Sequence, residues 1–462
     1  MPNNTDAFVP ELWAAEAVNQ LWENMIFAGT VHRDFENELA SYGDVVNTRK
    51  PGAFVAKRKQ NDLDDVEIQD VTATNIQVKL NQRVYVAFML GDKAQSLSFQ
   101  DLVQIYLSQA IMANARHLDR VIGAQVYQFL NNTAGGLGQM TAINSHDYLL
   151  DMRQVFNDNY VPTMDRWLAL CSRTETLMQK NDLFKQAYSI GDSGQALRNA
   201  ILGRVDGWNT FLELNTASVR VASDATATAT VNGAHAAGVT VLNVDDATDI
   251  TAGMYLVVAG DWTPVKVLSK ATNALTLNRP LKKAVADNAV ITKLTLTNVD
   301  QSSAIAAGDD GVLAVSNGYP AGWLKPINVN ATAIPRVGQL VSFGATSTVE
   351  YGIINVETNG SDYLITLDRP LEEAIAHNGV VCLGPAGDYN FAYQRNAVAL
   401  VSRPLLVPRS ETGVRAATAV AHNMALRVEI SRNSLKQGHL VVVDGIFGVA
   451  KLDAALGGCL FG

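Results

Sequence analysis

The sequence has 462 residues, of which 48% are hydrophobic and 18% charged, with a formal net charge of -9 and three cysteines. A chain longer than the ~250 to 300 residues of one growing core is expected to form two or more lobes, and this apolar fraction excludes a disordered class. The acidic balance argues against a sequence-reading nucleic-acid binder, and Cys171, Cys382 and Cys459, far apart and without a CxxC pair, argue against a disulfide framework or zinc site and fit a reducing compartment.

The first element expected is an amphipathic helix. Pro10 suits a first helical turn and Glu11 its positive end, while Ala14, Val18, Leu21, Trp22 and Met25 share one face and Gly29 ends the run. Glu16, Asn19, Gln20 and Glu23 make the other face acidic, so the helix either packs on its own domain or reaches a neighbouring subunit. From residue 44 the period changes to that of two extended arms, clearest at Ile76, Val78 and Leu80 and at Val84, Val86 and Phe88. Within this region Lys57, Arg58 and Lys59 precede Asp62, Asp64 and Asp65. Such a charged tip is either a solvated face or a contact surface, and a long ribbon ending this way is marginal unless it lies on something else.

The strongest helical signal follows. Ser98 and Asp101 resemble a capping box, and Val103, Leu107, Ile111, Ala115, Leu118, Ile122, Val126 and Phe129 form one stripe ending near Asn131. At 1.5 Å per residue this predicts a helix ~50 Å long, a spine for an elongated subunit. HDYLLDMRQVFNDN reads as a shorter helix, WLALCS as a buried strand and TETLMQKNDLFKQA as another helix, which together predict an α+β domain.

Residues 216 to 390 are rich in Ala, Thr and Val and read as a separate β-rich insertion. It carries LTLNRPLKKAVADNAVI at 275–291 and ITLDRPLEEAIAHNGVV at 365–381, two near copies each following a hairpin pattern. Each predicts a strand ended by Pro280 or Pro370, a short helical turn, an Asn-centred reversal and a returning strand. The expected result is two barrel-like modules at about 232–295 and 330–385, with Leu281 and Leu371 in separate cores. Arg279 and Arg369 are expected to be exposed or paired at module edges, because a duplicated scaffold repeats its packing whereas a shared active site would converge. The pairs Lys282, Lys283 and Glu372, Glu373 reverse charge between the copies, either by surface drift or to let one module meet the other or a neighbour.

The sequence contains no nucleophile elbow, phosphate loop or HExxH, and Asp245, Asp246 and Asp249 read as a solvated turn. No catalytic, cofactor-binding or metal residue is assigned. No apolar run approaches the ~18 residues of a membrane span, and MPNNTDAFVP lacks the basic and apolar regions of a signal peptide, so a soluble chain retained where it is made is expected.

The last seventy residues return to the style of the first. RNAVALVSRPLLVPR reads as a strand running into the Ser402-Arg403-Pro404 bend. GHLVVVDGIFGVAKLDAALGGCLFG reads as a strand, a Phe447-Gly448-Val449 turn, a short helical segment and a closing glycine run. This pairing resembles the end of the coat proteins of short-tailed temperate phages. The upstream order is similar to theirs: amphipathic arm, extended loop, long helix, then QALRNAILGRVDGWNTFLELN before a β insertion. The resemblance implies the tailed-phage and herpesvirus capsid fold, an α+β architecture with an inserted β-rich domain, here with two modules where the family has one barrel. It implies an N-terminal arm at 1–43, an extended loop at 44–96, a peripheral domain with the spine helix at 97–165, an axial domain at 166–215, the insertion at 216–390 and a return to the axial and peripheral domains at 391–462. It further implies a non-enzymatic major capsid protein that forms hexamers and pentamers with itself and meets scaffolding and portal proteins. Such a shell is assembled in the host bacterial cytoplasm, encloses double-stranded DNA without reading its sequence, and has no membrane partner. Glu11, Glu16, Trp22, Glu23, Lys57, Arg58, Lys59, Asp64 and Asp65 are then the candidate subunit contacts. A β-rich decoration or carbohydrate-binding adhesion protein is the alternative; it accounts for the insertion but not for the spine helix.

Overall fold

Residues 73 to 91 alternate apolar and polar side chains, and both halves of this run become strands, but with different partners. In a computed structural model, described over residues 17, 21, 25–33, 45–51, 54–59, 65–70, 73–185, 202–219, 226–294, 297–298, 318–330, 334–408, 415–421 and 424–462, β1 (Val45–Pro51) pairs antiparallel with β2 (Ala73–Lys79) as a two-stranded ribbon. β3 (Gln82–Gly91) pairs instead along its whole length with β25 (Gly438–Lys451).

The chain divides into two compact units. The described residues of Met1–Trp22, His32–Ile111 and Val398–Leu452 form one, and those of Glu23–Val31, Met112–Ala397 and Asp453–Gly462 the other. In the first, β25 lies between β22 (Val398–Arg403) and β24 (Met424–Asn433), β23 (Arg415–Ala421) follows β24, and β3 also joins β25. Val78 and Leu80 pack with Ala399 and Val401 in a small core. Asp444, fully buried, accepts two hydrogen bonds from Arg427 at 2.9 and 2.7 Å and one from Arg83 at 2.7 Å, so its charge is compensated where it lies.

Three boundaries differ from expectation here. Residues 82–91 belong to this sheet rather than to an extended loop reaching 96, because their partner strand lies some 350 positions away, beyond any local pattern. The long helix α1 (Asp92–Ala124) therefore starts directly after β3, and Ser98 sits inside it rather than capping it. Phe447-Gly448-Val449 lies within β25 and makes no turn; Gly448 permits close passage of β2, since a Cβ there would come within 2.9 Å of the Lys79 carbonyl carbon.

α1 has 33 residues, ~50 Å at 1.5 Å each, and tightens into a 3-10 turn at Gln125–Phe129. Leu107, Ile111, Ala115, Leu118, Ile122, Val126 and Phe129 are buried; the side chain of Val103 lies outside the described residues. The second unit is built on a seven-stranded sheet. Its order is β4 (Thr133–Ala134), β26 (Gly457–Phe461), β21 (Gly387–Gln394), β5 (Arg166–Leu170), β7 (Trp208–Leu212) and β6 (Arg204–Val205), with β8 (Ala217–Val219) also on β21. α2 (Ser145–Asp158), α3 (Ser172–Lys180) and α4 (Asp182–Lys185) accompany it, and Leu149, Met152, Phe156, Leu168, Trp208 and Leu460 share one core. Residues 133–134, 166–170, 387–394 and 457–461 are thus strands of a single sheet.

The repeat is a duplication of topology. β9 (Thr226–Thr230), β10 (Val241–Asn243), β11 (Tyr255–Val258), β12 (Pro264–Ala271), β13 (Ala274–Leu277) and β14 (Val290–Lys293) form a sheet ordered β10-β13-β12-β11-β14-β9. β15 (Thr297–Asn298), β16 (Ile327–Val329), β17 (Leu340–Phe343), β18 (Tyr351–Asn359), β19 (Asp362–Leu367) and β20 (Val380–Leu383) form the same path, β16-β19-β18-β17-β20-β15. Details repeat as well. The register shifts between Val267 and Ser269 and between Ile353 and Asn355; the N–H of Gly253 donates to Val267 and that of Gly338 to Ile353, both at 2.7 Å; Asn288 and Asn378 hold φ of 59° and 57°. A bridge between Val231 and Val244 joins the two edges of the first sheet. Leu281 and Leu371 lie in separate cores.

The segments after the prolines are bends held by single bridges, Val285 to His235 and Ile375 to Tyr319, and not helical turns. Modules run from β9 and from β15 rather than from 232 and 330, since their outer strands are short and carry little pattern. Nor is the insertion a separate body. β8 and β21 pair with each other inside the seven-stranded sheet, so 217–219 and 387–390 belong there, and both modules bond to residues around the end of α1. Tyr127 Oη donates to Gly338 O at 2.5 Å, Arg120 Nη1 to Ile354 O at 3.1 Å, and Leu137 N to Trp262 O at 3.0 Å.

Candidate functional site

The two repeat arginines do not stay at module edges. Arg279 is buried and donates to Glu350 Oε1, which also accepts from Tyr255 Oη at 2.7 Å and Asn278 Nδ2 at 3.2 Å. Arg369 donates to the carbonyl of the same Glu350 at 2.7 Å, to Asp368 at 2.9 Å and to Glu372 at 2.8 Å. Asp368, fully buried, accepts in addition from Gly352 N at 3.0 Å and Gln125 Nε2 at 3.1 Å. The expectation of separate edge positions is therefore corrected: both arginines converge on Glu350, because the loop that presents it reaches across to the first module. Every carboxylate in the group is bonded within it, which is the arrangement of a structural clamp. The reversed pairs do not join the modules either. Lys282 donates to Asn131 O and Lys283 lies 5.9 Å from the Tyr148 ring, whereas Glu372 receives Arg369.

No group of three or more His, Cys, Asp or Glu side chains among the described residues is arranged to hold a metal ion, and the three cysteines are free and buried. No described helix is long and apolar enough to cross a membrane.

The other candidate contacts lie on two exposed extended segments, 54–59 and 65–70. They are tied together without a regular ladder: Val55 N donates to Gln69 Oε1 at 2.9 Å, Gln69 Nε2 donates to Val55 O at 2.5 Å, and Lys57 pairs with Glu67. Lys57, Arg58, Lys59 and Asp65 are exposed. So are four large apolar side chains that patterning had not singled out: Phe54, Val55, Val66 and Ile68 are 63, 68, 72 and 89% accessible. This cluster of exposed apolar residues between charges has the composition of a contact surface. Their signal was present in the sequence, but alternation within a ribbon does not reveal which face lacks a cover.

Glu11, Glu16, Trp22, Glu23 and Asp64 fall outside the described residues. Ala17 and Leu21 are helical and buried, but Met25 is not helical, and a 3-10 turn at Phe27–Gly29 replaces a helix continuing to Gly29. Phe27 is fully buried against Phe211 and Tyr393, at ring distances of 5.6 and 6.3 Å, and Thr30 bonds the Tyr393 hydroxyl. Below this turn, Asp119 accepts from Ile26 N at 3.4 Å. Burial, and then the neighbouring Glu213, push the Asp119 carboxyl up to about 8. A carboxyl whose folded value is raised binds more protons folded than unfolded, so its contribution to stability declines as pH rises from the ordinary value of 3.8 to about 8. Asp119→Asn keeps an acceptor for Ile26 without the charge. Its melting temperature is expected to match the wild type at pH 4 and to exceed it by a margin that grows up to about pH 8 and then stays level. A margin independent of pH would contradict this.

No family model matches the sequence, and no curated protein does. Solved structures similar to this chain come from phages. A chain titled Mycobacterium phage Che8 is 11% identical, with 94% of this chain and 90% of that chain covered and a TM-score of 0.46. One from the capsid structure of the Cyanophage P-SCSP1u is 10% identical, with 95% and 88% covered and a TM-score of 0.44. One from the asymmetric unit of the bacteriophage PhiM1 mature capsid is 8% identical, with 94% and 86% covered and a TM-score of 0.43. TM-scores below 0.5 do not establish a shared fold, and the surfaces of the chain itself carry the functional reading.

Proposed function

We propose that this protein is the major capsid protein of a tailed phage, assembling with copies of itself as hexamers and pentamers into an icosahedral shell around double-stranded DNA. The observation that carries this reading is the pair of exposed segments at 54–59 and 65–70, where four large apolar side chains stand together in solvent beside a basic triplet. Such a surface is used by burying it on another molecule, and a repeated subunit is the partner that needs no further component. The resemblance of the Ser402-Arg403-Pro404 and Phe447-Gly448-Val449 stretches to the coat proteins of short-tailed temperate phages points the same way. Scaffolding and portal proteins are the further partners this role implies, with assembly in the host cytoplasm and residence in the virion. An adhesion role would use exposed aromatic clusters in the modules, whereas Tyr255, Tyr319, Phe343 and Tyr351 are buried.

Electron microscopy of the protein, expressed alone and with its neighbouring phage genes, tests the role directly: closed shells are expected. Replacing Lys57, Arg58 and Lys59 together by Glu is expected to leave the melting temperature of the subunit unchanged, since exposed charges contribute little to folding. Particle formation should be lost. Normal particles from the triple variant would show that the basic triplet takes no part in assembly.

A further inference from the structure

The duplication lets one module serve as the reference for the other. In the first, the loop between β11 and β12 closes down on the segment after Pro280. Asp261 is buried there; its Oδ1 accepts from the backbone N–H of Lys282 at 2.9 Å and of Lys283 at 2.7 Å, and its Oδ2 accepts from the Thr263 hydroxyl. The corresponding loop of the second module, GATSTVE at 344–350, has one acidic residue, Glu350, and its carboxylate is taken by Arg279 of the first module rather than by the segment after Pro370. The N–H of Glu372 is taken by the Tyr351 hydroxyl at 2.8 Å instead, and the loop stands off the segment 371–379, leaving a cleft of about 350 Å³.

This cleft is built before any partner arrives. Lys266, from the first module and fully buried, donates to the carbonyls of Gly344 and Ser347, both at 2.8 Å, and so holds the loop in its raised position. The cleft is lined by the buried side chains of Phe343, Leu371 and Ile375 and by the exposed Thr346, Thr348 and Glu373. Charge has reversed along with shape: Lys282 and Lys283 of the first module stand where the second has Glu372 and Glu373. Glu372 is engaged by Arg369, while Glu373 has no ion pair within 4 Å among the described residues and only a longer-range attraction to Lys266.

Apolar lining beneath hydroxyls and one exposed carboxylate that no described side chain bonds fits a side chain with a methylene stem and a cationic head. The geometry points to this cleft as the docking site for the basic tip at 57–59 of a second copy of this chain, with Arg58 on Glu373. This inference rests on the assembly reading above. Lys57 is held by Glu67 of its own chain, and a planar guanidinium can bond both oxygens of a carboxylate, which singles out Arg58 within the triplet.

Two measurements on the full chain test it. Glu373→Arg should lower particle yield roughly tenfold, because it sets like charges together, without moving the melting temperature. Combining it with Arg58→Glu should restore the yield. Separately, a chain carrying both Arg58→Cys and Glu373→Cys should, on mild oxidation of particles, give a ladder of covalent multimers on a non-reducing gel that neither single variant gives; the native cysteines are buried. If the wild type forms shells but the swap fails to restore yield, or the two cysteines link only within one chain or not at all, the docking site is wrong and the assembly role stands. If the wild type forms no shells, the assembly role falls and the docking site with it.

Discussion

Arg279→Met should destabilise the chain by about 3 to 5 kcal/mol, the range observed when one partner of a buried ion pair is removed. Arg279 and Glu350 are only 5% and 9% exposed, and removal of the guanidinium leaves a carboxylate facing the equally buried Tyr255 with only neutral donors. The cost lies in stranding Glu350, not in losing the net worth of the pair. A double variant, Arg279→Met with Glu350→Leu, removes both charges and should recover most of the loss, because replacing an entire buried pair by apolar groups of similar size is often neutral. Denaturant unfolding of the three variants would decide: a double variant as unstable as the single would mean that the arginine acts through packing alone. Arg369→Met offers a parallel. It removes the charged partner of Asp368, which is fully buried and keeps only the neutral Gly352 and Gln125 donors, so a loss of similar size is expected, while the solvated Glu372 adds little.

The second large effect lies where the end of the long helix meets the C-terminal strand. Phe129 is buried, stacks with Phe391 at 5.5 Å, and leaves no room beside Gly457, where a Cβ would stand 2.5 Å from the Phe129 Cδ1. Phe129→Ala should cost about 3 to 5 kcal/mol through the cavity it opens. Gly457→Ala should cost about 1 to 3 kcal/mol through overpacking. The two defects are complementary in shape, so the added methyl enters the cavity and the double variant should lose less than the sum of the singles. Strict additivity in chemical denaturation would show that the strand moves away from the ring instead of pressing on it.

What was legible in the sequence depended on local repetition. The stripe from Leu107 to Phe129 declares its helix because residues three and four apart share a face whatever packs against them. The strand at 166–170 and the helices on either side of it declare themselves by short-range period and length. The two RPL segments show their common descent directly, and their proline and asparagine positions recur at equivalent points of two identically ordered sheets.

Other features depended on atoms distant in the chain. Val84, Val86 and Phe88 alternate as any strand would, and nothing local says that β25 rather than the ribbon receives them. Phe447-Gly448-Val449 reads as a turn because glycine permits one, yet the residue is glycine because the Lys79 backbone passes too close for a Cβ. Arg279 and Arg369, alike in sequence, meet at Glu350 only once two modules are folded side by side, and the cleft beside Glu373 exists because a buried Lys266 holds a loop that the first module keeps closed. Periodicity and duplication belong to the sequence itself; strand partners, steric clearance and charge compensation are set by distances between residues that only the folded chain brings together.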